Sequence, residues 1–251
     1  MLTEILNTVW ATQGILWIAL AAFVAGIVRG FTGFGTAMIF LPVAGAFLSP
    51  IAALTVLTVM DFFGPIPLLS KAVKDARRND LVRLLIPMAL ILPAALWLLS
   101  YADPQIFRYL VSSLAICLLL CLIFGLQYKG KVTTPMLVSI GVFSGVTGGF
   151  LGMPGPPVIL FYMAGPYRAA VVRANTLLFL FSFDALFIMI IYVFGFMEME
   201  AVFLGLAMVV PIVTGNLVGA KFFNPEKERV YRFVAFCIIA ISAIKGLPLL
   251  D

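Results

Sequence analysis

Long apolar stretches without charged residues dominate the hydropathy pattern of this chain. Three of them, at 84–102, 109–128 and 201–220, contain no Asp, Glu, Lys or Arg. Each is near the ~20 residues that an α-helix needs to cross about 30 Å of hydrocarbon. The pattern therefore predicts membrane-spanning helices at these places.

Two further apolar segments are interrupted by closely spaced glycines. One runs Gly26-Ile-Val-Arg-Gly-Phe-Thr-Gly-Phe-Gly35, and the other runs from Gly141 to Pro157. Both contain the pattern Gly-x-x-x-Gly-x-Thr-Gly. Unwound backbone at membrane depth is tolerated only where protein or a water-filled cavity satisfies its N–H and C=O groups. Interrupted segments in corresponding places of two halves are typical of a transporter's binding site.

The composition also indicates a membrane protein. Hydrophobic residues make up 63% of the chain and charged residues 11%, and the mean hydropathy is +1.17. Soluble domains carry about 25% charged residues, so a soluble fold could not bury this much apolar surface. The stretch Met1–Gly14 contains Glu4 but no Lys or Arg, so it lacks the basic region of a cleavable signal peptide. We expect the first apolar segment to remain in the mature protein.

The basic residues predict the topology. Thirteen of the sixteen Lys and Arg residues fall in four clusters: Lys71, Lys74, Arg77, Arg78 and Arg83; Lys129 and Lys131; Arg168 and Arg173; Lys221, Lys227, Arg229 and Arg232. Loops that carry Lys and Arg tend to face the cytoplasm. All four clusters face one side only if each glycine-rich segment returns to the side from which it entered. We therefore interpret these segments as re-entrant helical hairpins, with broken full spans as the alternative.

The predicted fold class is an all-α polytopic membrane protein with two inverted repeats, each a glycine-rich hairpin plus three transmembrane helices. The first repeat, residues 1–128, has a hairpin at 15–48 and spans near 51–70, 81–101 and 106–126. The second, residues 129–251, has a hairpin at 133–165 and spans near 174–195, 200–220 and 230–248. An odd number of spans in each repeat makes the repeats inverted, and both termini then face the periplasm.

The two hairpin tips are the predicted binding site. In the second hairpin, Gly152, Gly155 and the prolines that follow end one helix and begin the next, because proline is tolerated in a helix's first turn. In the first, Gly33 and Gly35 make the break and Thr36 is expected to be the N-cap. Helix N-termini attract anions through free N–H groups and the helix dipole. The predicted substrate-binding residues are Arg29, Thr32, Gly33, Phe34, Gly35, Thr36, Thr147, Gly148, Gly149, Gly152, Gly155 and Pro156.

Other glycines are expected to serve helix packing. The pairs Gly26/Gly30, Gly141/Gly145 and Gly215/Gly219 have the small-xxx-small spacing that lets helices approach closely.

A few polar residues within the apolar segments are candidates for coupling or gating. Arg29, where an unpaired charge would be costly, is either an anion ligand or the partner of an acid. Asp61 and Asp184 lie about ten residues into their spans and are candidates for proton carriers or for the counter-ion of Arg29. Arg173 and Asn175 begin the span after the second hairpin, either as gate residues or as a snorkelling Arg and a helix cap.

The residue types argue against an enzyme. The chain contains no His, which excludes His-ligated metal or haem, and its three cysteines have no Cys-x-x-Cys spacing. No metal or cofactor is predicted. The net charge of +5 comes from basic loops between spans, so it does not indicate nucleic-acid binding.

The glycine-rich motifs resemble those of the TauE/SafE sulfite exporter family. The resemblance is carried by Gly26 to Pro42, by Gly145-Val-Thr-Gly-Gly-Phe-Leu-Gly-Met-Pro-Gly-Pro-Pro-Val158 and by Arg173-Ala-Asn-Thr, and it covers nearly the whole chain. Met153-Pro154 and Thr36 depart from the family pattern. The resemblance implies a bacterial inner-membrane carrier for sulfur-containing anions that is driven by the proton gradient.

The residues and the resemblance together predict a secondary transporter of small sulfur-containing anions of the sulfite, sulfonate or sulfoacetate type. Its expected partners are the anion, protons and the lipid bilayer, and a homodimer is left open. Three alternatives remain: a carrier of small organic carboxylates, a passive anion channel and a membrane scaffold without transport. The scaffold alternative leaves the glycine-proline tips unexplained.

Overall fold

The computed structural model describes residues 11–32, 35–63, 69–124, 133–164, 167–222 and 228–248. Within these ranges the chain forms eleven α-helices and no β-strand. The helices are α1 (Ile15–Thr32), α2 (Thr36–Ala44), α3 (Pro50–Phe62), α4 (Leu69–Asp75), α5 (Arg78–Leu99), α6 (Pro104–Ile123), α7 (Thr134–Leu151), α8 (Gly155–Ala164), α9 (Ala169–Val193), α10 (Met199–Phe222) and α11 (Glu228–Gly246). The predicted all-α class is confirmed for the described residues.

Five of these helices are long and apolar enough to cross a membrane, judged by length and composition. They are α5, α6, α7, α9 and α10. Shorter apolar helices lie at Ile15–Gly30, Pro50–Phe62 and Phe233–Gly246. The chain is therefore a multi-pass membrane protein, while the inversion of its two halves stays a prediction.

Proline marks the start of several helices. Pro50 and Pro104 are the first residues of α3 and α6, and Pro135 is the second residue of α7. The first N–H groups of a helix have no intrahelical partner, so the missing N–H of proline costs nothing there. The local sequence therefore sets these helix boundaries.

Two predicted spans have different bounds in the structure. The span predicted near 51–70 ends at Phe62, and the separate short helix α4 follows. Pro65 and Pro67 lie between them in the sequence, and proline lacks the N–H that a continuing helix needs. The span predicted near 174–195 begins earlier, at Ala169.

The helices form two compact units that interleave along the chain. The first unit comprises Met1–Met60, Ala102–Ile123 and Met197–Asp251, and the second comprises Asp61–Tyr101 and Phe124–Phe196. The first unit therefore holds α1, α2, α6, α10, α11 and most of α3, which crosses the boundary at Met60, and the second holds α4, α5, α7, α8 and α9. Each unit combines one glycine-rich segment with helices from the other half of the sequence.

In the first unit, α1 packs along α10 through glycines. Gly26 lies against the backbone of Ile212 and Asn216, so closely that a β-carbon would overlap the Ile212 carbonyl oxygen. Gly215 and Gly219 lie in the same way against the carbonyl oxygens of Phe23 and Ile27. The predicted packing role of these glycines is confirmed, because the two backbones touch only where side chains are missing.

In the second unit, α7 packs along α5 through a stripe of glycines spaced four apart. Gly141 lies against the carbonyl oxygen of Leu84, and a β-carbon at Gly145 would be 3.0 Å from the carbonyl oxygen of Met88. The stripe continues to Gly149, where a β-carbon would be 2.7 Å from the β-carbon of Ala95. One glycine face therefore follows α5 from Gly141 to Gly149.

The end of α11 is held by α2 and α6 in the first unit. Nε of Arg108, a buried residue of α6, donates a hydrogen bond to the carbonyl oxygen of Gly246 at 3.3 Å. A β-carbon at Gly246 would be 2.5 Å from the β-carbon of Pro42 and 2.7 Å from Oγ of Ser112. A cation at a helix C-terminus is favoured by the helix dipole, so Arg108 stabilises this helix end.

Candidate functional site

The first glycine-rich segment contains a break between two packed helices. α1 ends at Thr32, α2 begins at Thr36, and the two helices contact each other. Gly35 is left-handed with φ +99°, a conformation that favours glycine over residues with a β-carbon. Gly33 and Phe34, which are predicted substrate-binding residues, lie outside the described residues. For Thr32 only the backbone is described.

Arg29 and Thr36 meet across this break. Nη1 of Arg29 donates to Oγ1 of Thr36 at 3.5 Å, and Thr36 is buried. Arg29 lies in the last turn of α1, where the helix dipole favours a cation. The structure thus brings together two of the predicted substrate-binding residues.

The predicted capping role of Thr36 is wrong. Gly35 occupies the N-cap position of α2, without a side-chain hydrogen bond, and Thr36 is the first helical residue. A left-handed glycine can turn the chain sharply into the helix, so no capping side chain is needed at this position. The Thr36 hydroxyl contacts Arg29 instead.

The second glycine-rich segment also breaks into two helices, α7 and α8. Gly152 ends α7 in a left-handed conformation with φ +65°, and its N–H donates to the carbonyl oxygen of Gly148 at 2.9 Å. The N–H of Met153 donates to the carbonyl oxygen of Thr147 at 3.1 Å. α8 begins at Gly155 and has Pro156 in its first turn, which confirms the predicted helix end and helix start.

The N-termini of α2 and α8 differ in the hydrogen-bond donors that they carry. The first four N–H groups of a helix have no intrahelical acceptor. With Gly35 as the N-cap of α2, these belong to Gly35, Thr36, Ala37 and Met38, none of which is a proline. In α8 the second and third residues are prolines and have no N–H. The first break is therefore richer in donors than the second.

The small residues before the second break pack against neighbouring helices. A β-carbon at Gly148 would be 2.5 Å from the ring of Phe183 in α9, and one at Gly155 would be 3.2 Å from Leu180. Gly149 belongs to the stripe of glycines on α7 that packs against α5. The Thr147 hydroxyl donates to the carbonyl oxygen of Phe143 at 3.0 Å. Packing thus accounts for the absence of side chains here, and the substrate role of these residues stays a prediction.

The two predicted proton carriers occupy different places on their helices. Asp184 lies well inside α9 and is 9% exposed. Asp61 is half-buried and is the penultimate residue of α3, not a mid-helix residue as predicted, because that helix ends at Phe62. A carboxylate near a helix C-terminus is disfavoured by the helix dipole. Arg29 falls in the first compact unit and Asp61 in the second, so their predicted pairing stays a prediction.

Asn175 is fully buried in α9 and is not a helix cap. That helix begins at Ala169 with Arg168 as its N-cap, so the capping alternative is wrong. Oδ1 of Asn175 accepts the backbone N–H of Arg77 at 2.8 Å. Its Nδ2 donates to Oη of Tyr162 at 2.6 Å and to the carbonyl oxygen of Arg77 at 3.4 Å. The exposed Arg173 lies two residues earlier on the same helix.

A second set of contacts surrounds Asn175. Nε of Arg77 lies 3.3 Å from Oδ2 of Asp80, and the hydroxyl of Tyr167 donates to the same oxygen at 3.1 Å. The guanidinium of Arg77 lies 5.1 Å from the ring centroid of Tyr167, within cation–π range. Burial, and next the Asp80 carboxylate, raise the pKa of Tyr167 to about 12, so this hydroxyl stays a donor at physiological pH.

Sequence reasoning identified only Asn175 in this cluster. Tyr162, Tyr167, Arg77 and Asp80 follow or precede apolar segments, and two of the contacts that join them connect distant parts of the chain. Arg77 and Asn175 are separated by 98 residues, and Asp80 and Tyr167 by 87. The available signal was the presence of polar and aromatic residues at the ends of three neighbouring segments. That signal does not predict which of these residues contact each other.

Comparison with known proteins agrees with the helices and the motifs. Residues 18–246 match the family TauE, described as Sulfite exporter TauE/SafE. Comparison with curated proteins and with solved structures found no significant match. The family match includes both glycine-rich breaks, all five long apolar helices and the Asn175 cluster. The chain therefore belongs to the TauE/SafE sulfite exporter family.

Proposed function

We propose that the protein is a secondary transporter of small sulfur-containing anions, of the sulfite, sulfonate or sulfoacetate type, across the bacterial inner membrane. Membership in a sulfite exporter family supports transport of an anion of this class. The proposed driving force is the proton gradient. The proposed substrate-binding residues are those predicted at each of the two glycine-rich breaks.

The contact between Arg29 and Thr36 is the observation that carries this proposal. It places a guanidinium and a hydroxyl beside the N-terminus of α2, which has no proline among its first four residues. An oxyanion would accept hydrogen bonds from all three kinds of donor, and the positive end of the helix dipole would add to the attraction. A small anion with several oxygens fits this set of donors.

The second break would contribute shape more than charge. Its prolines remove two donors from the N-terminus of α8, and no basic residue lies between Thr134 and Ala164. We propose that Gly152 and Gly155 bring backbone close to the anion, while Pro156 fixes the start of α8.

Proton coupling is assigned to carboxyl groups in the apolar helices. Asp184 is buried within α9, and Asp61 lies at the end of α3. A carboxylate in such surroundings is costly when charged, so taking up a proton changes the stability of its helix arrangement. We propose that Asp184 carries the transported proton, with Asp61 as the second candidate.

A carrier of small organic carboxylates is the alternative that the same donors favour. Carboxylates also bind at helix N-termini and accept bidentate hydrogen bonds from Arg. A passive channel and a scaffold without transport remain as outcomes of the test.

Transport by the purified protein in liposomes tests the proposal. Radiolabelled sulfite should accumulate when a proton gradient is imposed, and accumulation should stop with a protonophore. Preloading with unlabelled sulfite should accelerate uptake of labelled sulfite, because a carrier exchanges its substrate and a channel does not. Competition by sulfoacetate, taurine and acetate ranks the anions.

Arg29→Gln is the decisive variant, and Lys74→Gln, which removes an exposed basic residue of α4, is its matched control. We expect Arg29→Gln to abolish uptake at low sulfite concentration and Lys74→Gln to keep it. Acetate competing better than sulfite would support the carboxylate carrier. Sulfite flux without exchange would indicate a channel, and absence of both flux and binding would indicate a scaffold.

A further inference from the structure

At the junction between α4 and α5, the backbone N–H of Arg77 is not used by either helix. Ala76 still donates to the carbonyl oxygen of Ala72, and the carbonyl oxygen of Arg77 accepts from Asp80 and Leu81. Arg77 itself is extended, with φ −86° and ψ 90°, so its N–H lies outside both helices. We call Ala76 and Arg77 the elbow. The N–H of Arg77 needs a partner from elsewhere in the fold.

Asn175 supplies that partner and at the same time holds α8. Its side-chain amide accepts from the Arg77 N–H and donates to both the Arg77 carbonyl oxygen and Oη of Tyr162. An amide side chain has one acceptor oxygen and two donor hydrogens, and all three are used here. Asn175 therefore joins three elements, the elbow, α8 and its own helix α9, through one fully buried group.

Tyr162 connects this junction to the second break. It lies on α8, a helix of ten residues that begins with Gly155 at the break. Seven residues of helix place Tyr162 about 10 Å along the axis from Gly155, at ~1.5 Å per residue. A short straight helix moves as one body, so a displacement at Tyr162 also displaces the residues at the break.

Contacts among Arg77, Asp80 and Tyr167 surround the hydrogen bonds of Asn175 and hold the same junction through weak, reversible interactions. The Arg77–Asp80 pair has an exposed Arg, and Tyr167 reaches Asp80 through one hydrogen bond. Rings of Tyr162 and Tyr167 pack with centroids 5.2 Å apart. A salt bridge with an exposed partner is weak, and one hydrogen bond to a carboxylate is only moderately strong. By contrast, α7 touches α5 along the whole glycine stripe, backbone against side chain and backbone. The junction is thus easier to open than the α5–α7 interface.

We infer that Arg77, Asp80, Tyr162, Tyr167 and Asn175 form a latch that holds α8 closed against the elbow, with Asn175 as its positioning centre. Releasing the latch exposes the second break to the cytoplasmic face, the face that the basic residues around the elbow indicate. The inference rests on the proposed transport function for its place in the cycle. The opening itself does not require that any anion is transported.

Cysteine accessibility measured without substrate tests the latch. The probe residue is Met153, which is 1% exposed at the break between α7 and α8. Met153→Cys is introduced into a variant whose three native cysteines are replaced by Ser, and labelled in inside-out and right-side-out vesicles by an impermeant maleimide. Tyr162→Phe and Asn175→Ala remove the central bonds, and Tyr167→Phe removes an outer one. Tyr192→Phe, an exposed tyrosine on α9, is the matched control.

We expect Tyr162→Phe to label about two- to tenfold faster from the cytoplasmic face, the factor that the loss of one neutral hydrogen bond produces, and Tyr167→Phe and Asn175→Ala to label at least as fast. Labelling from the periplasmic face and labelling of Tyr192→Phe should not change. Tyr162→Phe combined with Asn175→Ala should add little to the larger single effect, because both changes remove the same hydrogen bond. Should Asn175→Ala fail to fold, the two Tyr→Phe variants decide.

Unchanged labelling in Tyr162→Phe and Tyr167→Phe would overturn the latch, and so would equal acceleration from both faces, which indicates general loosening. Sulfite transport by the wild-type protein is measured separately. If sulfite is not transported but the variants label faster from one face, the proposed function fails and the latch stands. If sulfite is transported and labelling does not respond, the latch fails alone.

Discussion

Nη1 of Arg29 lies 3.5 Å from Oγ1 of Thr36, so the last turn of α1 and the first turn of α2 are joined by side chains across the first break. The contact places the positive charge of Arg29 beside the N-terminus of the next helix. A positive charge and a helix N-terminus both attract anions.

Arg29→Gln should weaken anion binding about ten- to a hundredfold, because a charge-assisted hydrogen bond contributes about 1.5–3 kcal/mol. Thr36→Val should weaken it less, and Thr36→Ser should retain binding. Titration of the purified protein with sulfite, followed by the shift of its melting temperature, measures each affinity. If Arg29→Gln does not fold and Asp61→Asn restores folding, Arg29 is a structural ion-pair partner and not an anion ligand.

The topology can be checked with single cysteines in a variant that lacks the native three. Ala46→Cys should react with an impermeant reagent from the periplasmic side, and Asn79→Cys should react only from the cytoplasmic side. Both residues are exposed, and Ala46 is preferable to Ser49 because Oγ of Ser49 accepts the N–H of Ala52 at the start of α3. The reverse labelling pattern would contradict the hairpin interpretation.

Glycine substitutions on the α5–α7 interface should lower stability. Gly141→Ala and Gly149→Val place side chains where Leu84, Leu92 and Ala95 already lie, and overpacking of this kind costs about 1–3 kcal/mol. Val142→Ala, an exposed position on the same helix, should have little effect. Melting temperatures in detergent measure the difference. A Gly149→Val variant with wild-type stability would show that this interface is looser than the structure indicates.

Removal of the buried Arg108 side chain should destabilise the first unit without changing anion affinity. Arg108→Met loses the hydrogen bond to the Gly246 carbonyl oxygen and the favourable charge at the end of α11, about 1.5–3 kcal/mol together. Lys245→Met is the matched control, since it removes an exposed charge from the same helix end. Thermal unfolding and sulfite titration of both variants check this prediction. Loss of binding by a stable Arg108→Met protein would place Arg108 in the binding site.

Tyr167 should make the stability of the second unit fall at alkaline pH. Burial, and next Asp80, raise its pKa from an unfolded value of about 10 to about 12, so the folded state holds the proton more tightly. Its contribution is fully present below pH ~10 and is lost as the pH rises through about 12. Tyr167→Phe should therefore be less stable than the wild type at neutral pH, and the difference should shrink over this window. If the unfolding free energies of the wild type and of Tyr167→Phe change in parallel with pH, this prediction is wrong.

Helix boundaries and breaks could be read from local residues. Pro50 and Pro104 begin helices, Pro156 is the second residue of α8, and Gly35 and Gly152 adopt left-handed conformations at the two breaks. These features depend on the backbone chemistry of single residues, so no distant partner is needed to predict them. The span predicted near 51–70 extends past the end of α3 at Phe62, because most of the residues after Phe62 are also apolar although Pro65 and Pro67 are among them.

The faces of the apolar helices could not be read in the same way. α7 is apolar on nearly all sides. Its sequence therefore does not show that Gly149 belongs to the face of α7 that packs against α5. Periodicity identifies a buried face only when the opposite face is polar, and lipid removes that contrast.

The sequence by itself determined that this protein spans a membrane, where its two glycine-rich segments break and which family it belongs to, because hydropathy, proline and glycine act locally. Only the tertiary structure decided that α1 packs on α10 and α7 on α5, and that Asn175 pairs with Arg77 and Tyr162. These contacts depend on which helices are neighbours in the fold, and the sequence of a single helix does not specify its neighbours. A buried amide takes the partners that its neighbours supply, and the neighbours of α9 come from segments far away along the chain.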